Sequence, residues 1–189
     1  MTTRKEGTLE KHMVTPEEIA EEVFRKTRPG ILLTTKVADK VNTMVIGWGH
    51  LGTIWNRRVF VAYVRSSRFT FELLAKNPEF CVSVPREEHL TPGILRVAGH
   101  ESGRNEDKIA KLGLTLVEPE VVSVPAIAEV PLTLECRLLY RQEMELDRFP
   151  ADIREKYYPE GVDPTDSTRD GSVHTAFYGE VVSSYVVES

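Results

Sequence analysis

The sequence predicts a mainly β domain with peripheral helices, and more narrowly an antiparallel barrel with α elements at its rim. Three observations carry this: about six runs with strand patterning, the shortness of the helical patterns between them, and the lack of the strand–helix–strand rhythm of a parallel sheet. At 189 residues, 41% of them hydrophobic, the chain suits one substantial domain rather than two. Residues 1–14 read as a loose N-terminal arm and 15–189 as the domain. No internal repeat or low-complexity segment interrupts it.

Thr15-Pro16-Glu17-Glu18 is a capping box with proline at the first helical position, and Ile19, Ala20, Val23 and Phe24 recur on one face. A helix is therefore expected from Pro16 to Lys26, ended by Arg28-Pro29-Gly30. Ile31 to Lys36 reads as the first strand, and Ala38-Asp39-Lys40 turns it into Val41 to Ile46 as a hairpin. Gly47, Gly49 and Gly52 then satisfy G-x-G-x-x-G. A dinucleotide fingerprint needs a helix opening on the last glycine, because that helix N-terminus holds the pyrophosphate. Here Thr53 to Arg57 and the strand-like run Val59 to Val64 follow, so the fingerprint fails.

The Val59 strand leads into Arg65-Ser66-Ser67-Arg68-Phe69-Thr70, and Arg68 to Lys76 reads as a short helix closed by Asn77-Pro78, with Ser66 or Ser67 as its N-cap. Phe80, Val82 and Val84 alternate with Cys81 and Ser83 in a strand reaching Pro85. Pro92 to Val97 is expected to be helical, Gly99 to Arg104 a loop, and Asn105 the cap of a helix through Leu112 with Gly113 at its C′ position. The clearest strand holds Leu132, Leu134, Cys136, Leu138 and Tyr140 on one face and mostly polar residues on the other. Glu143 to Ser172 is a charged, turn-rich excursion with a helical turn from Ala151 to Tyr157. His174 to Val187 returns as the closing strand, with a bulge or a close backbone approach at Gly179.

A net charge of -5 and a pI near 5.6 argue against nucleic acid as a partner. No apolar run approaches a membrane span, and the first residues lack the apolar core of a signal peptide, so the expectation is a cytoplasmic protein. Cys81 and Cys136 lie in strand patterns without a C-x-x-C; they read as buried structural thiols, and no metal site is expected. One local cluster stands out. Arg65 and Arg68, with Ser66, Ser67 and Thr70, surround a helix start, where guanidinium groups, hydroxyls and first-turn N–H groups suit a phosphate monoester.

Asn42-Thr43-Met44 followed by Gly47-Trp48, then Val64 to Thr70, then Ser102-Gly103-Arg104-Asn105-Glu106-Asp107-Lys108, resemble the flavin reductase-like family that includes flavoredoxin. Leu134-Glu135-Cys136 and His174 leading into Phe177-Tyr178-Gly179-Glu180-Val181 extend the resemblance over roughly residues 29 to 187. It implies an FMN-binding split barrel, usually a homodimer with flavin near the subunit interface. It further implies that Arg65, Ser67, Arg68 and Thr70 lie around the FMN phosphate and ribityl chain. Asn42, Thr43, Met44 and Trp48 would lie beside the isoalloxazine ring. Lys108 would offer positive charge, and His174 would contact flavin or admit the reductant. Two departures stand out: Asn56-Arg57-Arg58 replaces the Pro-Pro of many relatives, and the 143–172 excursion is longer, open to a lid or a dimer-contact role.

With FMN bound, hydride transfer needs no protein acid, base or nucleophile, so no catalytic residue is assigned. The leading expectation is an oxidoreductase passing hydride from NAD(P)H to FMN and electrons onward to a small-molecule acceptor. The competing classes are an FMN-binding electron carrier that does not oxidise nicotinamide, and a flavin-free structural module.

Overall fold

The computed structural model describes residues 9–86, 92–162 and 171–188. Residues 1–8 of the expected arm and 163–170 of the excursion lie outside these. The chain runs β1 (Glu10–Met13), α1 (Pro16–Thr27), β2 (Ile31–Val37), β3 (Lys40–Ile46), β4 (Gly49–Ile54), β5 (Arg57–Arg65), α2 (Phe69–Lys76) and β6 (Glu79–Val84). It continues with α3 (Pro92–His100), α4 (Lys108–Leu112), β7 (Leu116–Val117), β8 (Ala126–Ile127), β9 (Leu132–Glu143), α5 (Ala151–Tyr157) and β10 (His174–Glu188).

The main sheet is antiparallel throughout, in the order β3-β2-β6-β9-β10-β5-β4, with β1 paired to β10. The two ends of this path, β3 and β4, are consecutive in the chain and joined through Gly47 and Trp48. The sheet therefore curls until its ends meet at that corner, where Tyr63 N–H donates to the Trp48 carbonyl at 3.4 Å. Leu33, Phe60, Val64, Phe80, Leu134 and Phe177 fill the interior. Their alternation with outward residues on each strand is the period-2 pattern of a barrel wall.

α1 begins with the expected capping box: Glu18 N–H donates to Thr15 Oγ1 at 3.4 Å, and the Glu18 carboxylate accepts from Thr15 N–H at 2.6 Å. Its buried residues are Ile19, Val23 and Thr27. Phe24, expected on the buried face, is 81% exposed. It sits roughly 100° around the helix from Val23, past the edge of the stripe that meets the barrel.

The failed fingerprint is β4, a strand not expected from the sequence because its glycines carry no alternation. It turns into β5 through Trp55 and Asn56, both at positive φ (52° and 57°), the backbone of a two-residue type I′ hairpin. β1 was likewise unexpected: part of the presumed arm is a strand, its polar sequence held by pairing with the end of β10. At Gly179 both expected features occur. The β9–β10 register shifts there, and a Cβ would stand 2.9 Å from that of Cys136 and collide with the Phe80 ring.

The polar face of β9 is not left to solvent in its first half. Thr133 and Glu135 are fully buried. The Glu135 carboxylate accepts from the N–H groups of Glu120, Val121 and Val122 at 2.7, 2.7 and 3.1 Å and from the Tyr185 hydroxyl at 2.8 Å. Four donors repay its desolvation and staple the 118–124 segment to the barrel wall. Burial, with Glu135 close by, pushes the Tyr185 hydroxyl well up. Cys81 and Cys136 are buried and unpaired, and burial raises both thiols well above their ordinary value.

Candidate functional site

Two adjoining cavities open where β3, the β5–α2 turn and the α3–α4 connection converge. The first, about 300 Å³, has Asn42 and Met44 on its floor, Ser67, Arg68 and Thr70 along one wall, and Gly103, Arg104 and Lys108 along the other. The second, about 200 Å³, shares Met44, Val45 and Arg68 with the first and is walled by Trp48, Tyr63, Arg65 and His174. Thr43 alone of the predicted site residues lines neither cavity. Strand alternation turns it away from Asn42 and Met44, and its buried hydroxyl accepts from Thr34 Oγ1 at 3.1 Å.

The start of α2 departs from expectation in an informative way. Neither Ser66 nor Ser67 caps it. Arg68 N–H donates to the Arg65 carbonyl at 3.0 Å, closing a turn that delays the helix by one residue. Arg68 therefore occupies the N-cap position, with no side-chain cap bond. Ser67 Oγ accepts instead from Ser172 Oγ at 3.0 Å. The first turn of α2 therefore starts without a side-chain cap and lines the first cavity through Arg68, Phe69 and Thr70, and helix N-termini of this kind favour negative charge.

Asn42 is buried, and its Nδ2 donates to Thr70 Oγ1 at 2.9 Å, tying β3 to the first turn of α2. Gly103 presses on this pair: a Cβ there would stand 2.8 Å from Asn42 Cγ and collide with Oδ1. Arg104, part of the Ser-Gly-Arg segment but not among the expected site residues, donates to the Ser67 carbonyl at 3.0 Å and pairs with Glu72. Tyr63 was also missed, since an alternating strand residue gives no sign of which cavity it will face.

α4 starts two residues later than the Asn105 cap implies. Asn105 and Glu106 both donate to the Ser102 carbonyl in a preceding turn, so the cap falls to Asp107, which accepts from Ala110 N–H at 3.0 Å. That shift makes Lys108 the first helical residue and sends its side chain inward. It is 4% exposed, and Nζ donates to the Ala98 carbonyl in the last turn of α3 at 3.1 Å. Burial depresses its pKa to about 8 against the opposing attraction of Glu101.

Around the second cavity, the Trp48 and His174 rings lie 4.5 Å apart, and His174 Nδ1 shares a 2.8 Å hydrogen bond with the Tyr158 hydroxyl. Burial raises the Tyr158 pKa, opposed by nearby Arg65. Arg65 itself is turned to the chain, donating to the carbonyls of Ser172 and Tyr157. Among the described residues, no cluster of His, Cys, Asp and Glu is placed to hold a metal ion, and no helix is long and apolar enough to cross a membrane.

A curled antiparallel sheet whose ends meet at one corner, with a basic, hydroxyl-lined pocket beside an aromatic one, is the architecture of a split barrel. The chain belongs to the flavin reductase-like family, whose domain model matches residues 24–189. It is similar to an FMN-binding domain of a flavin reductases-like enzyme from Shewanella baltica, at 15% identity over 95% of this chain and 78% of that one, with a TM-score of 0.65. Flavoredoxin from Methanosarcina acetivorans aligns at 25% identity over 83% of this chain and 67% of that one, with a TM-score of 0.60. An uncharacterised protein of Archaeoglobus fulgidus is 36% identical over 105 residues, which span 56% of this chain and 58% of that relative.

Proposed function

We propose that this protein binds FMN across the two cavities and uses it to take hydride from NAD(P)H and pass electrons to a small-molecule acceptor. The observation that carries this reading is the pairing of unlike pockets. Arg68, Ser67, Thr70, Lys108 and the first turn of α2, which has no side-chain cap, suit a phosphate ester. The adjoining Met44, Trp48, Tyr63 and His174 suit a flat ring system. Together the cavities reach the range of small-molecule sites, about 300–1,000 Å³.

The chemistry FMN supplies when bound is two-electron acceptance at N5 and onward transfer. The chain's part is to bind, orient and polarise. Arg68 and the first-turn N–H groups hold the phosphate, and Asn42 keeps that turn in place through Thr70. Trp48 and His174 wall the ring and exclude water. Lys108 keeps its proton below about pH 8 and so presents positive charge to the bound anion.

The protein is further proposed to be a homodimer. Trp55 and Tyr140 are exposed and cluster with Tyr178, with Trp55 and Tyr140 ring centres 6.3 Å apart, and aromatic surface of this kind is enriched at interfaces. A cytoplasmic location, where thiols stay reduced, suits the two unpaired cysteines. The deciding experiment is a visible spectrum and FMN titration of the purified protein, followed by anaerobic mixing with NADH and NADPH. Rapid bleaching supports the reductase. A flavin-loaded protein that neither nucleotide bleaches supports the electron carrier instead, and failure to bind FMN rejects both.

A further inference from the structure

Arg65 ends β5 on the rim of the second cavity, yet its guanidinium serves the chain. Nη1 donates to the Ser172 carbonyl at 2.6 Å and Nη2 to the Tyr157 carbonyl at 2.9 Å. One carbonyl belongs to the last residue of α5 and the other to the approach to β10, so a single planar fork joins the outgoing and returning parts of the excursion. The same guanidinium lies 5.1 Å from the centre of the Tyr158 ring. Tyr158 is buried and stacks on Phe149 at 5.5 Å, with 3° between the planes, while its hydroxyl meets His174 Nδ1. Tyr157 sets its ring edge-on to Trp48 at 5.2 Å. Ser66 N–H donates to the Val173 carbonyl at 3.0 Å, extending the seam beside Arg65.

We propose that Arg65 is a positioning residue, which anchors the Tyr157–Tyr158 corner of the excursion against Trp48 and His174 and so sets the walls of the second cavity. The flavin phosphate falls to Arg68. This rests on the reading that the cavities hold FMN. The physical ground is the fork together with its place: a planar guanidinium serves two fixed carbonyls at once and is oriented by them toward the excursion, and Arg65 lines only the second cavity whereas Arg68 lines both. The Tyr158 hydroxyl then orients the His174 ring, because the bond at one ring nitrogen decides what the other presents.

The test compares FMN with riboflavin, which has the same ring and no phosphate, in titrations of the full chain, together with trypsin digestion at Arg154 and Lys156 of α5. Arg65→Ala is expected to weaken both flavins by the same factor, about tenfold, as two charge-assisted bonds are lost. Cleavage at Arg154 and Lys156 accelerates. Arg65→Lys restores neither property, since an ammonium lacks the planar fork whose two nitrogens each reach one carbonyl. Arg68→Ala weakens FMN more than riboflavin and leaves the tryptic rate unchanged. Tyr158→Phe keeps the ring stack, so it reproduces the equal loss of both flavins in milder form with an unchanged Tm. The proposal is overturned if Arg65→Ala weakens FMN about tenfold more than riboflavin and Arg65→Lys recovers it, or if trypsin cuts Arg65→Ala no faster than the parent. Should the parent bind neither flavin, the FMN reading fails, and the tryptic rates alone decide the anchor.

Discussion

Replacing Lys108 with methionine should make the protein more stable and a poorer flavin binder. The depression of its pKa from 10.5 to about 8 corresponds to about 3 kcal/mol against the charged form in the fold. Methionine fills similar space without the charge. It forfeits the bond to the Ala98 carbonyl, a loss of about 1 kcal/mol, so Lys108→Met gains about 1–2 kcal/mol near neutral pH. The pH dependence has a definite sign. The folded lysine releases its proton near 8 and the unfolded one near 10.5, so the unfolded chain binds more protons between those values and parental stability rises with pH across that window. The difference between parent and Lys108→Met therefore shrinks as pH climbs through it. Urea unfolding of both proteins at about pH 7 and about pH 9.5 measures this, and FMN titrations under the same conditions supply the second half. Parental affinity falls as pH passes about 8, whereas Lys108→Met starts roughly tenfold weaker or more and stays flat. A less stable Lys108→Met, or a stability difference constant with pH, would show that the ammonium is not desolvated as described.

Three further outcomes follow from single contacts. Gly103→Ala pushes a methyl into the Asn42 amide and so breaks the Asn42–Thr70 tie; the expected cost is about 1–3 kcal/mol in Tm-derived stability, with a matching fall in FMN affinity by calorimetry. Glu135→Gln sets an NH2 group among three N–H donors and a tyrosine hydroxyl, losing about 2–4 kcal/mol in denaturant unfolding. Easier proteolysis of the 118–124 segment should accompany it. Trp55→Ser removes the most exposed aromatic of its cluster with Tyr140 and Tyr178 and is expected to shift the protein toward monomer in light scattering, while FMN stays bound.

Much of the fold was legible because its cues are local. The capping box at Thr15, the hairpin through Ala38 to Lys40, the alternation of β9 and the helical turn at Ala151 each depend on neighbours a few residues away. β4 was not legible, since glycines carry no alternation and its strand character comes from pairing with β5. β1 was hidden for a related reason, as a polar tetrapeptide becomes a strand only when the edge of β10 is offered to it. Phe24 shows the same limit on a helix: periodicity names a stripe, but where the stripe ends depends on the surface it meets. Of the site, the basic hydroxyl cluster could be seen in the residues themselves. The cap at Asp107, which turns Lys108 inward, could not, because Asn105 and Asp107 are both good capping residues and a turn at Ser102 chooses between them.

Composition and order of residues determined the class of this protein: alternation specifies strands, short helical patterns leave them antiparallel, and arginines and hydroxyls cluster at one helix start. What tertiary structure alone decided is the assignment of partners. A guanidinium binds whichever acceptors come within reach, and Tyr157 and Ser172 reach Arg65 across a gap of about a hundred residues. Chemistry travels with the side chain, whereas its use is settled by distance, and distance between remote segments exists only once the barrel has closed.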